Sequence, residues 1–249
     1  LEIKHFIPDN TVLSMLNYDD FTIEMATRLQ NEMKDRISLK TRNKNISTIA
    51  GADISHEVGS SKLYAGIVIL SYPDLIPISY SLAEGESQFE YKAEYLAFRE
   101  VPTLIKAWEQ IPVKPDLLIL DGQGITHPRR MGIASHFGLL TNHPTIGCAK
   151  NMLHGKYDVL EDEKFSYRPI YKNEEKLGFA LRTKTNVKPV FISPGHHVSV
   201  DDSLEIMNRA VQKYRIPEPT RQAHVMVNLF RTGQRQAGYH ELDVQLPLF

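Results

Sequence analysis

Three strand-like segments follow one another early in the chain: ISTIAGADIS (46–55), KLYAGIVILSY (62–72) and IPISYSLAEG (76–85). Only HEVGSS and PDL separate them, far less chain than the crossover between parallel strands requires. The three are therefore expected to pair as an antiparallel meander. After them the rhythm changes. A helix over about 93–110, bent or restarted at Pro102, leads to a strand at 116–120 bounded by Pro115. A second helix, with Ile133, Phe137 and Leu140 on one face, precedes a short strand at 144–149. A doubly wound fold would alternate strand and helix from its start, so this order argues for a mixed sheet instead.

The expected fold class is α/β: a ribonuclease H-like mixed sheet, three antiparallel strands followed by parallel strands, flanked by helices. Residues 20–37 read as a helix, with Phe21, Met25, Leu29 and Met33 at four-residue spacing. KLGFALRT and KPVFISP read as two more strands, and 151–175 as a polar surface excursion. Ser199 with Asp202 resembles a capping box opening a helix to about Arg215, and Pro217 and Pro219 start a last helix. The organisation expected is a single domain over 1–235 and a detached C-terminal tail over 236–249.

With 249 residues, 42% of them hydrophobic, the chain can build one large core. A net charge of −1 means that any nucleic-acid surface must be local. The single cysteine, Cys148, excludes a disulfide framework and a cysteine-based zinc site. Apolar runs such as Ile67–Leu70 are far below membrane-spanning length, and LEIKHFIPDN lacks a signal pattern. A soluble, cytoplasmic, monomeric protein with no membrane partner is expected.

The stretch richest in chemistry is DLLILDGQGITHPRR (116–130), where an aliphatic run delivers Asp121 onto a Gly-x-Gly turn. A dinucleotide fingerprint needs a third glycine, but Thr126-His127 follows Gly124 and Pro128 interrupts the helix entry. A metal site needs a second carboxylate, and Asp53 sits among Ile49, Ala50, Ala52 and Ile54, where an unpaired charge is costly. Two carboxylates about 4 Å apart repel by roughly 4 kcal/mol at an effective dielectric near 20, and a divalent cation turns that repulsion into a site. All-oxygen ligands suit Mg²⁺ or Mn²⁺. Glu100 shares a row with Leu96 and Leu104 and is a third candidate. Each acid alone would more simply cap a turn or meet an arginine; Asp53 and Asp121 together favour the metal. Arg129, Arg130, Lys150, Lys156, Arg182, Lys184, Lys188 and Arg221 supply cations, of which HPRR beside Asp121 best suits a phosphodiester.

These residues carry a resemblance. AGADIS, YLAFREVPTLIKAWE, PDLLILDGQGITHPRRMGIASHFGLL, PTIGCAK, LGFALRTK, KPVFISPGHHVSVDDSL and YRIPEPTRQAH run from about 45 to 224 in the order of the endonuclease V family, which the chain closely resembles. The resemblance implies a deoxyinosine-directed repair nuclease. It would cut the second phosphodiester 3′ to hypoxanthine in DNA and leave 3′-hydroxyl and 5′-phosphate ends. It implies Asp53 and Asp121 as Mg²⁺ ligands (Mn²⁺ substituting), with Glu100 orienting the attacking water. It places Lys150 near the scissile phosphate and His224 beside the metal centre. The base pocket would draw on Tyr91, Leu96, Gly122, His127, Gly132 and Ile133. Gly122 and Gly124 would be backbone thinned to admit a base, while Gly132 reads equally as a turn residue.

One block departs from the family: its proline- and glycine-containing strand-separating loop is EYKAEYL here, keeping only Tyr91. Loss of the prolines is expected to loosen this loop, with Glu94 placing a negative charge near DNA. The tail QLPLF, with Gln245, Leu246, Leu248 and Phe249, is spaced like the short peptides that grip the bacterial sliding clamp; folding back onto the core is the competing reading. Inosine in RNA as the substrate, and a non-catalytic inosine-binding module, stand as alternatives.

Overall fold

The meander forms as β1 (Thr48–His56), β2 (Lys62–Ser71) and β3 (Pro77–Glu86), each antiparallel to the next. The structure, a computed structural model, describes residues 16–57 and 59–242. After α2 (Leu96–Glu109), β4 (Leu117–Leu120) enters parallel to β1. Then, after α3 (Ile133–Thr141), β5 (Thr145–Ala149) enters parallel to β4. Further antiparallel strands, β6 (Tyr167–Lys172), β7 (Glu175–Leu181), β8 (Val190–His196) and β9 (Gly238–Glu241), extend both sides. The resulting nine-stranded order is β6-β7-β8-β5-β4-β1-β2-β3-β9.

Two apolar layers sandwich the sheet. On one face α1 (Ile23–Met33), α2 and α3 bury Leu29, Phe98, Val101 and Phe137 against Ala50, Ala52, Leu118 and Leu120. On the other, α4 (Val200–Ala210) and α5 (Glu218–Arg231) bury Leu204, Met207 and Met226 against Ile49, Leu117, Ile119, Ile146 and Cys148. Because β1, β4 and β5 are covered on both faces, they read as unbroken apolar runs. Strand alternation then fixes direction. Asp53 follows Ile49 and Gly51 on the α4/α5 face, Asp121 follows Leu117 and Ile119, and Lys150 follows Ile146 and Cys148. Asp121 and Lys150 thus emerge just past the carboxyl ends of β4 and β5, beside Asp53 where β1 outruns β4, the usual side for ligand sites in such sheets.

Four elements differ from the sequence expectation. The segment 151–175 is not wholly irregular, because β6 runs along the sheet edge, where Pro169 is tolerated. The helix expected to reach Arg215 ends at Ala210, and Arg215 is freed for other work. The helix expected over 20–37 ends as α1 at Met33, and a 3-10 turn, Lys34–Arg36, continues it. Residues 238–241, assigned to the tail, form β9 on β3, and Leu242 N–H still donates to the Ile78 carbonyl, 2.8 Å. The ordered sheet thus runs beyond residue 235. Gln245, Leu246, Leu248 and Phe249 lie outside the described residues. Among the described residues no helix is long and apolar enough to cross a membrane.

Candidate active site

Asp53 and Asp121 meet because β1 and β4 are in register. Ala52 lies opposite Leu120, and Asp121 N–H donates to the Ala52 carbonyl at 3.2 Å, extending the ladder to the next pair. Adjacent strands lie about 4.8 Å apart, so the two carboxylates share one small volume. Burial first, and then the Asp53 charge, push the Asp121 carboxyl above its ordinary range, against Lys150 and His224, which pull it down. Glu100, on α2, stands well above the usual carboxylate range, from burial first and then from Asp53 and Asp121. Three acids therefore feel one another at one point: a surplus of negative charge that a cation would relieve.

Two basic groups answer part of that surplus. Lys150 Nζ pairs with Asp121 Oδ2. Burial pulls this ammonium down, but Asp121 and Asp53 outweigh burial and hold it above its ordinary value. His224 Nδ1 lies 2.7 Å from Asp53 Oδ2, and that hydrogen bond, opposed by burial, raises the imidazole above its usual value.

The approach of His224 depends on Gly51. A Cβ there would stand 2.0 Å from the Pro219 carbonyl oxygen, so only glycine lets the first turn of α5 rest on β1. From Pro219 to His224 the helix climbs roughly 7.5 Å, and from Gly51 to Asp53 the strand advances roughly 7 Å. The two side chains arrive level.

Among the described residues no group of three or more His, Cys, Asp or Glu forms a ready-made metal cage. The set Asp53–Asp121 nevertheless fits a hard divalent cation. Such ions are commonly held by one or two carboxylates, with water and substrate phosphate completing the shell. The mutual charge stress on Asp121 and Glu100 is what such an ion would remove.

Beside these acids opens a cavity of ≈ 260 Å³, whose wall includes Asp121 and Lys150. Tyr91, Leu96, Gly122, His127, Gly132 and Ile133 all line it. That volume is at the small end for ligand sites and suits one base better than a dinucleotide. Tyr91 stands at the mouth, 61% exposed. His127 is buried and its imidazole is pushed down to about 4, chiefly by burial. Its ring Nδ1 accepts from Arg129 N–H (3.2 Å) and Nε2 donates to the Glu94 carbonyl (2.9 Å), so it is a neutral clasp.

Several expectations are corrected at this wall. Arg129 is engaged within the chain: Nη1 holds the Glu94 carboxylate at 2.8 Å and Nε holds Gln30 Oε1 at 2.5 Å, while the guanidinium lies over the Tyr95 ring. Arg130 pairs with Glu175, Arg182 binds the carbonyls of Leu160, Glu161 and Val187, and Arg221 pairs with Glu218. Glu94 is tied into this wall, its carboxylate paired with Arg129 and its carbonyl accepting from both His127 and Gln30. Gly124 faces β8, where a Cβ would stand 2.2 Å from the Pro194 carbonyl oxygen, and it does not line the cavity. At Gly132, a Cβ would stand 2.2 Å from the Gln123 carbonyl oxygen, so it serves the packing of the turn as well as the wall.

Sequence reasoning missed Gln123 and Asn151, which also line the cavity. Gln123 Nε2 donates to the Asn151 carbonyl at 2.7 Å, and its Oε1 accepts from Thr126 at 2.6 Å. Its place between the two glycines of DGQG was the available signal.

The Endonuclease V family model matches residues 31–225. An endonuclease V of Dehalococcoides mccartyi is 42% identical over 216 residues, covering 87% of this chain and 97% of the relative. The crystal structure of an endonuclease V from Streptomyces avermitilis superposes with a TM-score of 0.80 at 35% identity, over 86% of this chain and 95% of that one. An endonuclease V of Ciona intestinalis, solved with a 24mer DNA containing an inosine followed by a ribo-adenosine, gives 0.74 at 26% identity, over 86% and 99%.

Proposed function

The chain belongs to the endonuclease V family, and from that premise we propose that it is a metal-dependent nuclease of inosine-containing DNA. On this reading it hydrolyses the second phosphodiester bond 3′ to the deaminated base and leaves 3′-hydroxyl and 5′-phosphate ends. The observation that carries the reading is that one base-sized cavity and the carboxylate pair share a wall, through Asp121 and Lys150. The inosine-containing DNA held by the Ciona relative supports the choice of substrate.

Hypoxanthine must leave the helical stack to enter the cavity, which is cheapest where its pairing is weak. Tyr91 at the mouth can stack on what remains, and the backbone of Gly122, Gly132 and Ile133 closes around the base. Hypoxanthine lacks the 2-amino group of guanine, so a close-fitting wall admits one and rejects the other.

Asp53 and Asp121 would hold Mg²⁺ or Mn²⁺, which supplies positive charge to the scissile phosphate when bound. Lys150 then donates to a non-bridging phosphate oxygen. Glu100, on α2 beside the two aspartates, is the carboxylate placed to draw a proton from water as its oxygen bonds to phosphorus, and the cation's charge would favour its ionised form. The bond from phosphorus to the 3′-oxygen breaks, and His224, held toward its protonated form by Asp53, can return a proton to that oxygen.

The test is to incubate wild type and Asp53→Ala with end-labelled inosine oligonucleotides of DNA and of RNA, with Mg²⁺ or with EDTA. Cutting of DNA by wild type with Mg²⁺ alone is expected. Cutting that persists in the variant or in EDTA would falsify the metal reading, and exclusive cutting of RNA would move the substrate assignment.

A further inference from the structure

The helix α4 stops short of Arg215, and what that side chain does has a bearing on Lys150. Its Nε donates to the Lys188 carbonyl at 2.8 Å, and its Nη2 donates to the carbonyls of Pro189 and Lys150, both at 2.9 Å. The ladder between β5 and β8 ends at the pair Ala149–Phe191. Beyond that pair the ladder does not continue, and the carbonyls of Lys150 and Pro189 accept from Arg215. The guanidinium fills that gap, so the ladder is continued by a side chain where the backbone no longer can. On the opposite side Gln123 Nε2 takes the next carbonyl, that of Asn151, at 2.7 Å. The peptide that carries Lys150 is therefore tied by Arg215, from the connection between α4 and α5, to the Lys188–Pro189 segment that leads into β8, and by Gln123 to the Asp121 turn.

Lysine is a long, flexible side chain, and its ammonium has no preferred direction of its own. An ammonium that must meet one phosphate oxygen needs a fixed backbone beneath it. We propose that Arg215 is a positioning residue for the cleavage reaction: by bracing the Lys150 carbonyl against the Lys188–Pro189 segment that leads into β8, it fixes where the Lys150 ammonium stands at the scissile phosphate. The inference rests on the reading of Lys150 given above. The three carbonyls are served by two separate nitrogens of a rigid planar group, Nε and Nη2, a spread that the single nitrogen of a lysine does not reproduce.

The experiment is a double-mutant cycle. Arg215→Met, Arg215→Lys, Lys150→Gln and the two combinations are assayed for kcat and KM on an inosine-containing DNA oligonucleotide. Arg215→Met is expected to lower kcat by roughly 10- to 100-fold, as displacements of about 1 Å do, with KM within about threefold. Arg215→Lys should restore little of that loss. In the Lys150→Gln background either Arg215 substitution should cost less than about threefold, because the group being positioned is gone. Losses that are equal in both backgrounds, full rescue by lysine, or a change in KM alone would overturn the proposal and make Arg215 a DNA contact or a general support. If Lys150→Gln itself leaves kcat unchanged, the reading of Lys150 fails instead. Should Arg215→Met not fold, Arg215→Lys carries the same cycle alone.

Discussion

Gly147 lies on β5 against the turn that follows Asp121, and replacing it by alanine should damage the site without touching any polar group. A Cβ there would stand 2.3 Å from Gly124 N, 2.5 Å from the Gln123 carbonyl carbon and 2.6 Å from the Gly122 carbonyl oxygen. All three are backbone atoms, so no rotamer change relieves the overlap. Reaching even a 3.0 Å separation moves the turn or the strand by at least about 0.7 Å. Overpacking of this kind costs about 1–3 kcal/mol. The same shift stretches the 3.0 Å bond from Gly124 N–H to Ser193 Oγ, a loss of about 1 kcal/mol. A total of about 2–4 kcal/mol lowers Tm by roughly 5–15 °C in a chain of this size. Because Asp121 begins that turn, its offset from Asp53 should lower kcat/KM by about 100-fold. Circular dichroism melts and steady-state cleavage of an inosine oligonucleotide measure both. The control is Gly233→Ala, where φ is +76° and nothing lies within 4 Å of the new Cβ. That variant should show only backbone strain, about 1 kcal/mol, with activity intact. Gly147→Ala melting within 2 °C of wild type, by roughly the spread of neutral substitutions, and cleaving normally would refute the close-approach reasoning.

Two further outcomes follow from other contacts. Arg129→Met should release Glu94 and the loop bearing Tyr91, and because it also strands Oε1 of the buried Gln30 it should cost about 1–3 kcal/mol of stability. Cleavage of paired inosine should fall relative to single-stranded inosine by about threefold or more if loop ordering helps to open the duplex, and an unchanged ratio counts against that role. Burial depresses the His136 imidazole to about 3 from an ordinary 6.5, with its Nε2 2.8 Å from Tyr18 Oη. Below pH 6.5 the unfolded chain takes up a proton that the folded chain refuses, so this contribution is complete above 6.5 and is lost as pH falls toward about 3. Between pH 7.5 and 5 urea unfolding should show wild type losing about 2 kcal/mol more than His136→Leu, and equal losses would remove His136 as the cause.

What the sequence made legible were the charges standing in apolar places. Asp53 and Asp121 were visible because a carboxylate inside an aliphatic strand needs a reason, and Glu100 because it interrupts a helical stripe. The pocket wall was visible through its motif, and all six expected residues line one cavity. Pairing was not legible. Arg129 and Arg130 look ready for phosphate until the fold brings Glu94 and Glu175 to them from elsewhere in the chain. The direction in which a glycine opens was also hidden: Gly124 and Gly122 are two residues apart, yet one faces β8 and the other the cavity. Short edge strands escaped for a related reason. β6 holds a proline and β9 has four residues, so neither carries an alternation long enough to read.

The central claim is that Asp53 and Asp121 together hold a divalent cation beside a bound inosine. Its most direct test is electron paramagnetic resonance titration of Mn²⁺ into wild type, Asp53→Ala and Asp121→Ala, each mixed with an oligonucleotide whose scissile linkage resists hydrolysis. Wild type should bind Mn²⁺ tightly only when the oligonucleotide contains inosine, and either substitution should weaken that binding at least tenfold, a difference of about 1.4 kcal/mol. Equal Mn²⁺ affinity in wild type and both variants, with the inosine oligonucleotide bound in each, would contradict the account.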